Sequence, residues 1–146
     1  MANRYSVVVK KGERIRGIHP SAIVMVIGLV GCARGQPSIT GTITVDQKAF
    51  EVSTCFAGNT AGFWGVDFLG KDGGVLRLAQ QPSGKAVAYL FPSATAPAIE
   101  LGDCGPMTLV NMHMQHGHGT ATLSCSANGH VVAAPALSFK SCQFER

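Results

Sequence analysis

The sequence predicts an all-β fold, a small antiparallel sandwich or barrel of about 8–9 strands with two disulfides. Three observations predict it. Short runs of alternating, β-branched character recur along the chain, and turn dipeptides separate them at short spacing. No long stretch after residue 32 shows helical periodicity. Four cysteines follow residue 32, an even number in a chain segment too short to build a large core.

Each element rests on its own residues. Positions 39–45 read Ile-Thr-Gly-Thr-Ile-Thr-Val, an alternating strand, and Asp46-Gln47-Lys48 is a turn. Positions 50–55 alternate again, with Phe50, Val52 and Thr54 on one face, and Gly58-Asn59 is expected to begin a loop. Strands 63–69 and 75–79 flank Gly70-Lys71-Asp72-Gly73-Gly74, a hairpin signal because Asp and Gly accept positive φ. Pro82-Ser83-Gly84 is a turn, 86–91 a strand and 92–97 a loop. Strands are then expected at 99–101, 107–112 and 119–126. A tight turn at Asn128-Gly129 follows, and strands 130–133 and 137–144 close the chain. Phe63, Trp64, Phe68, Leu76, Leu78, Leu90, Val110, Leu123 and Phe139 are the expected core, with Met107 facing inward as well.

The first 31 residues have a different character. Arg4, Lys10, Lys11, Arg14 and Arg16 stand against one acid, Glu13, and Ala22-Ile23-Val24-Met25-Val26-Ile27-Gly28-Leu29-Val30 is apolar. A basic head, a short apolar middle and a small residue are the pattern of a secretory signal. The apolar run is too short to span a bilayer, which takes roughly 20 residues. Leu29-Val30-Gly31-Cys32 resembles the lipobox of bacterial lipoproteins. That resemblance implies diacylglycerol on the Cys32 thiol and cleavage before it. The expected organisation is a signal peptide over 1–31, a lipidated tether over 32–38 and one all-β domain over 39–146. Ala33 after the cysteine, where an Asp would retain the protein at the inner membrane, implies outer-membrane sorting in a two-membrane organism.

Removing the leader changes the charge argument. The whole chain is formally +4. Five of its 12 basic residues and one of its 8 acids lie before residue 32, which leaves seven of each. The remaining part is therefore neutral and carries no Lys/Arg stripe to neutralise phosphates, so no nucleic-acid partner is expected.

Cys55, Cys104, Cys125 and Cys142 remain once Cys32 is set aside. In an exported domain they read as two disulfides, with three possible pairings. A hairpin over 107–126 with its tip near Met114-Gln115 favours Cys104 with Cys125, leaving Cys55 with Cys142. No CxxC occurs, and the spacings match no zinc pattern.

The residues with most chemistry are Met112, His113, Met114, His116 and His118. Thioethers suit Cu(I) and imidazoles bind copper or zinc. In an extended strand Met112, Met114, His116 and His118 would point the same way. The bland alternative is a polar hairpin tip to which Gly117 and Gly119 lend turn flexibility.

No constellation for catalysis is apparent: there is no GxSxG elbow, HExxH or Gly-rich phosphate loop, and no enzyme is expected. Asp67 and Asp72 read as solvated acids flanking a hairpin tip, Glu100 and Asp103 as strand-end surface charge. Ser124 and His118 make only a weak nucleophile–base pairing. Trp64 reads as core in preference to a ligand-stacking surface.

Gly41-Thr42-Ile43-Thr44-Val45-Asp46, Phe50-Glu51-Val52 with Cys55, Gly119-Thr120-Ala121-Thr122, and Ser138-Phe139 with Cys142 resemble the mycobacterial 19-kDa lipoprotein antigen family. The resemblance implies a surface lipoprotein with a lipidated cysteine and a β-rich domain. Three functions follow as expectations. One is a lipid-anchored cell-envelope lipoprotein that binds an unspecified protein or small molecule, held to the membrane and facing the periplasm or exterior. A second is a copper- or zinc-handling lipoprotein using the tract 112–118. A third is a small inhibitor of an extracellular enzyme, presenting loop 92–97 or the tip at Gln115.

Overall fold

A computed structural model describes residues 35–60, 62–112 and 116–144. All of them belong to one compact unit, Ala33–Arg146. Among the described residues it has ten strands: β1 (Ser38–Thr40), β2 (Thr44–Val45), β3 (Lys48–Ala49), β4 (Val52–Thr60), β5 (Phe63–Gly70), β6 (Val75–Gln80), β7 (Lys85–Phe91), β8 (Ile99–Met112), β9 (His116–Ala127) and β10 (His130–Gln143). The all-β expectation holds, and the choice between sandwich and barrel falls to the barrel. Strands β4 through β10 pair in chain order, each antiparallel to the next, and β10 meets β4 again.

The closure follows from parity. Alternating directions over an odd number of strands leave the first and last pointing the same way. The β4–β10 pair is therefore parallel, and it is registered at a single position, Gln143 opposite Phe56. Along the rest of that edge β10 is occupied by β2 at Val132–Ala133 and by β1 at Ser38–Thr40. The seam is short of hydrogen bonds, and the disulfide Cys55–Cys142 lies beside it with a Cα–Cα distance of 4.9 Å. The second disulfide, Cys104–Cys125, joins β8 to β9 at 4.6 Å. Both are the pairing that the hairpin argument favours.

Several boundaries differ from the sequence expectation, each for a local reason. The strand expected over 39–45 breaks because Gly41 takes φ 101°, which turns the chain between β1 and β2. Gly58-Asn59 is not a loop; both residues pair within β4, opposite Gly65 and Trp64. The segments 99–101 and 107–112 are one long strand, β8, with register shifts against β7 at 86/87 and 88/89. The last two expected strands merge into β10 across an irregularity between Ala134 and Leu137. The turns hold: Asp46 and Gln47 both have positive φ, as do Asn128 and Gly129.

The interior is filled with side chains. Phe68 and Phe139 meet edge to face at its centre, with centroids 5.4 Å apart at 79°. Val66, Leu76, Leu78, Leu90, Met107 and Leu123 pack around them. Each such side chain contributes roughly 1.5–3 kcal/mol by leaving water. Three expected core residues are not in it: Phe63, Trp64 and Val110 are 46%, 42% and 49% exposed. Residue type suggested burial, but Phe63 and Trp64 lie at the start of β5 beside a turn, and Val110 faces outward near the end of β8. Among the described residues no helix is long and apolar enough to cross a membrane.

Candidate functional site

The alternation His116-Gly117-His118-Gly119 begins β9, and strand geometry alone divides it between the two faces. Gly117 and Gly119 point inward and both are buried, whereas His116 and His118 share the outer face and are half-buried. The glycines serve packing, not turn flexibility. A Cβ on Gly117 would collide with the Cβ of Ala57 on β4, and one on Gly119 would collide with the Thr108 carbonyl and the Phe139 ring. Here β9 passes close to β4, and the small residues Gly117, Gly119 and Ala121 leave room for that approach.

In register, Met112 lies opposite His116 and Val110 opposite His118. Among the described residues the buried Nδ1 of His116 has no hydrogen-bond partner. The candidate ligands His113 and Met114 fall outside the described residues. The two imidazoles on one outer face are therefore what the structure brings together of the expected tract. Among the described residues no group of three or more His, Cys, Asp or Glu is arranged to hold a metal ion. Ser124 shares the outer face with His118, but six strand residues separate them by about 20 Å, too far for a nucleophile and its base.

Next to the imidazoles the outer face is a hydroxyl row. Thr108, Thr120, Ser138 and Thr40 stand opposite one another across β8, β9, β10 and β1. The Thr108 and Thr120 hydroxyls bond at 2.9 Å. A surface depression of about 380 Å³ lies on this row, floored by Ala121 and Leu137. Another of about 220 Å³ lies between β1 and the start of β4, walled by Ile39, Ile43, Phe50 and Val52.

Asp67 is not the solvated acid that its place beside a hairpin tip suggests; it is 6% exposed. It accepts two hydrogen bonds from Arg77, Nε at 2.7 Å and Nη2 at 2.6 Å, and the guanidinium stacks on Phe91 at 5.3 Å. The hairpin over Gly70–Gly74 carried the signal, because a turn centred on Asp72 sets 67 opposite 77. Asp72 caps its own turn by accepting the Gly74 N–H. Glu100 is exposed, as expected, while Asp103 is paired with Lys85 at 2.7 Å. That pairing, followed by the Gly105 N–H, holds its carboxyl below the usual value. Asp46 is likewise held low, first by the Val131 N–H and then by His130, whose Nδ1 is 2.8 Å away. Nothing in the sequence pairs residues 84 apart, so this contact was not legible there.

The arrangement defines a small disulfide-stapled β-barrel domain with a packed interior and an outer face of hydroxyls and imidazoles. In comparisons with known proteins, no family model, no curated protein and no solved structure matches this chain.

Proposed function

We propose that this chain is a lipid-anchored protein of the bacterial cell envelope, held through an acylated Cys32, and that its barrel is a binding or interaction domain. The observation that carries the reading is the cysteine arithmetic. The two disulfides use Cys55, Cys142, Cys104 and Cys125, so of five cysteines the one left over is Cys32, at the end of a basic-then-apolar leader. Disulfides persist in oxidising compartments, which suits export. With the interior filled by side chains, the surfaces open to a partner in this reading are the outer face and the barrel ends. Metabolic labelling with an alkyne fatty acid tests the anchor: label lost in Cys32→Ala is expected, and label unchanged in that variant refutes it. Pull-down from envelope extract with the domain from Ala33 onward tests the interaction role, one stoichiometric partner being the expected result.

A second reading, copper or zinc handling, draws support from His116 and His118 on one face, Met112 opposite His116 in register, and a buried His116 Nδ1 with no partner among the described residues. Calorimetric titration with Cu(I) and Zn(II) tests it. Affinity unaffected by replacing His113, His116 and His118 with Ala rules it out.

A further inference from the structure

The described chain begins at Gly35, which lies against Ser141 near the end of β10. Because β1 runs antiparallel to β10, with Ser38 opposite Lys140, the chain leading back towards Cys32 departs at the β10 C-terminal end of the barrel. The same end carries the β4–β5 turn. Gln143 stands opposite Phe56, and β4 runs on in the same direction to Asn59, opposite Trp64, and Thr60, opposite Phe63. Trp64 is 42% and Phe63 46% exposed although both are large and apolar. Phe63 leans on Tyr89 at 5.9 Å, which props it on the outer wall.

From these placements we infer that Phe63 and Trp64, at the start of β5, form a membrane-docking edge that seats the barrel end in the headgroup layer of the bilayer to which the chain is tethered. This rests on the lipid-anchor reading. The occupant is a lipid surface because of reach. Trp64 lies about five strand residues beyond the level of Gly35, roughly 16 Å along the strand and about 12 Å along the axis at a typical tilt. Cys32 is three residue steps before Gly35, through Ala33 and Arg34, a span of at most about 11 Å. An acyl group on Cys32 therefore brings the membrane surface to nearly the depth at which the aromatics project.

Charge agrees with that orientation. At the opposite end, in or beside the β2–β3 turn, the β5–β6 turn and the first residues of β4 and β8, the acids Asp46, Glu51, Asp72 and Glu100 outnumber Lys48 and Lys71. The neighbouring turn at the aromatic end, Gln81-Pro82-Ser83-Gly84, is uncharged, and Lys85 beside it is neutralised by Asp103 at 2.7 Å. Indole rings favour the membrane–water boundary because one edge is polar and the body apolar.

Trp64 is the single tryptophan of the chain and reports its own surroundings. The test uses the full lipidated protein in phosphatidylcholine–phosphatidylglycerol vesicles, with and without bromine on the acyl chains. Docking is expected to quench Trp64 emission by about twofold with brominated lipid, a ring at the interface being within reach of the upper chain. Phe63→Ser is expected to weaken that quenching with acylation unchanged. A protein that floats with vesicles and carries the acyl group, but whose Trp64 is not quenched, overturns the docking edge and leaves the anchor standing. Failure to float, with an unmodified N-terminus, overturns both. A blue shift that follows protein-to-lipid ratio and ignores bromine marks a second copy as the occupant and overturns the inference.

Discussion

Cys55 on β4 and Cys142 on β10 are bonded across the one parallel seam of an otherwise antiparallel barrel. The bond replaces what the seam lacks. Every antiparallel neighbour in the wall is held by a ladder, whereas among the described residues β4 and β10 register at Gln143 and Phe56 alone.

The two disulfides should therefore differ in value. Cys55–Cys142 closes 87 residues and Cys104–Cys125 closes 21. On chain entropy alone the losses are about 4.6 and about 3.3 kcal/mol. Paired Cys→Ser replacement with urea unfolding measures both. The larger loss is expected at the seam, together with faster amide exchange in β1 and β4.

Asp67 and Arg77 form a pair whose halves do not stand alone. Arg77→Met leaves a carboxylate with little access to water and is expected to cost about 2–4 kcal/mol. Combining it with Asp67→Leu should recover most of that loss, because the charge that needed a partner is gone. Denaturant midpoints for the two single variants and the double variant give the coupling directly.

Gly117→Ala is expected to cost about 1–3 kcal/mol, since the new methyl would enter the space of Ala57. Ala57→Gly in the same chain should restore much of it. Thermal melts of the three variants decide whether that close approach is the cause.

Asp46 gives a signed pH effect. Its folded carboxyl lies below the ordinary value of 3.8 because the Val131 N–H and His130 favour the charged form. Its contribution is full above that ordinary value and fades as pH falls through the lowered folded value. A carbon-detected titration should place the Asp46 midpoint below 3.8. The Val131 amide should move with the same midpoint, and Asp46→Asn should abolish that movement.

The core strands were legible because their signal is local. β5, β6 and β7 lie within a residue of where alternation and the turns Gly70–Gly74 and Pro82–Gly84 put them. Cys104 with Cys125 was legible because a hairpin turns sequence distance into register. The Asp67–Arg77 pair could have been read the same way. Phe63 and Trp64 were not, since whether an aromatic at a strand end is covered depends on what lies beyond the turn. The Asp46–His130 contact is of the same kind, joining two hairpins that share no sequence proximity.

By itself the sequence determined the all-β class, the turns and the pairing that its hairpin implied, all of which arise from side-chain alternation and backbone preferences over a few residues. Only the tertiary structure decided that the sheet closes as a barrel of seven strands, that an odd count makes its seam parallel, and that the aromatic turn lies at the end where the N-terminal strand departs. Those depend on how β10 shares one edge among β1, β2 and β4, a relation between segments about 90 residues apart that no local pattern encodes.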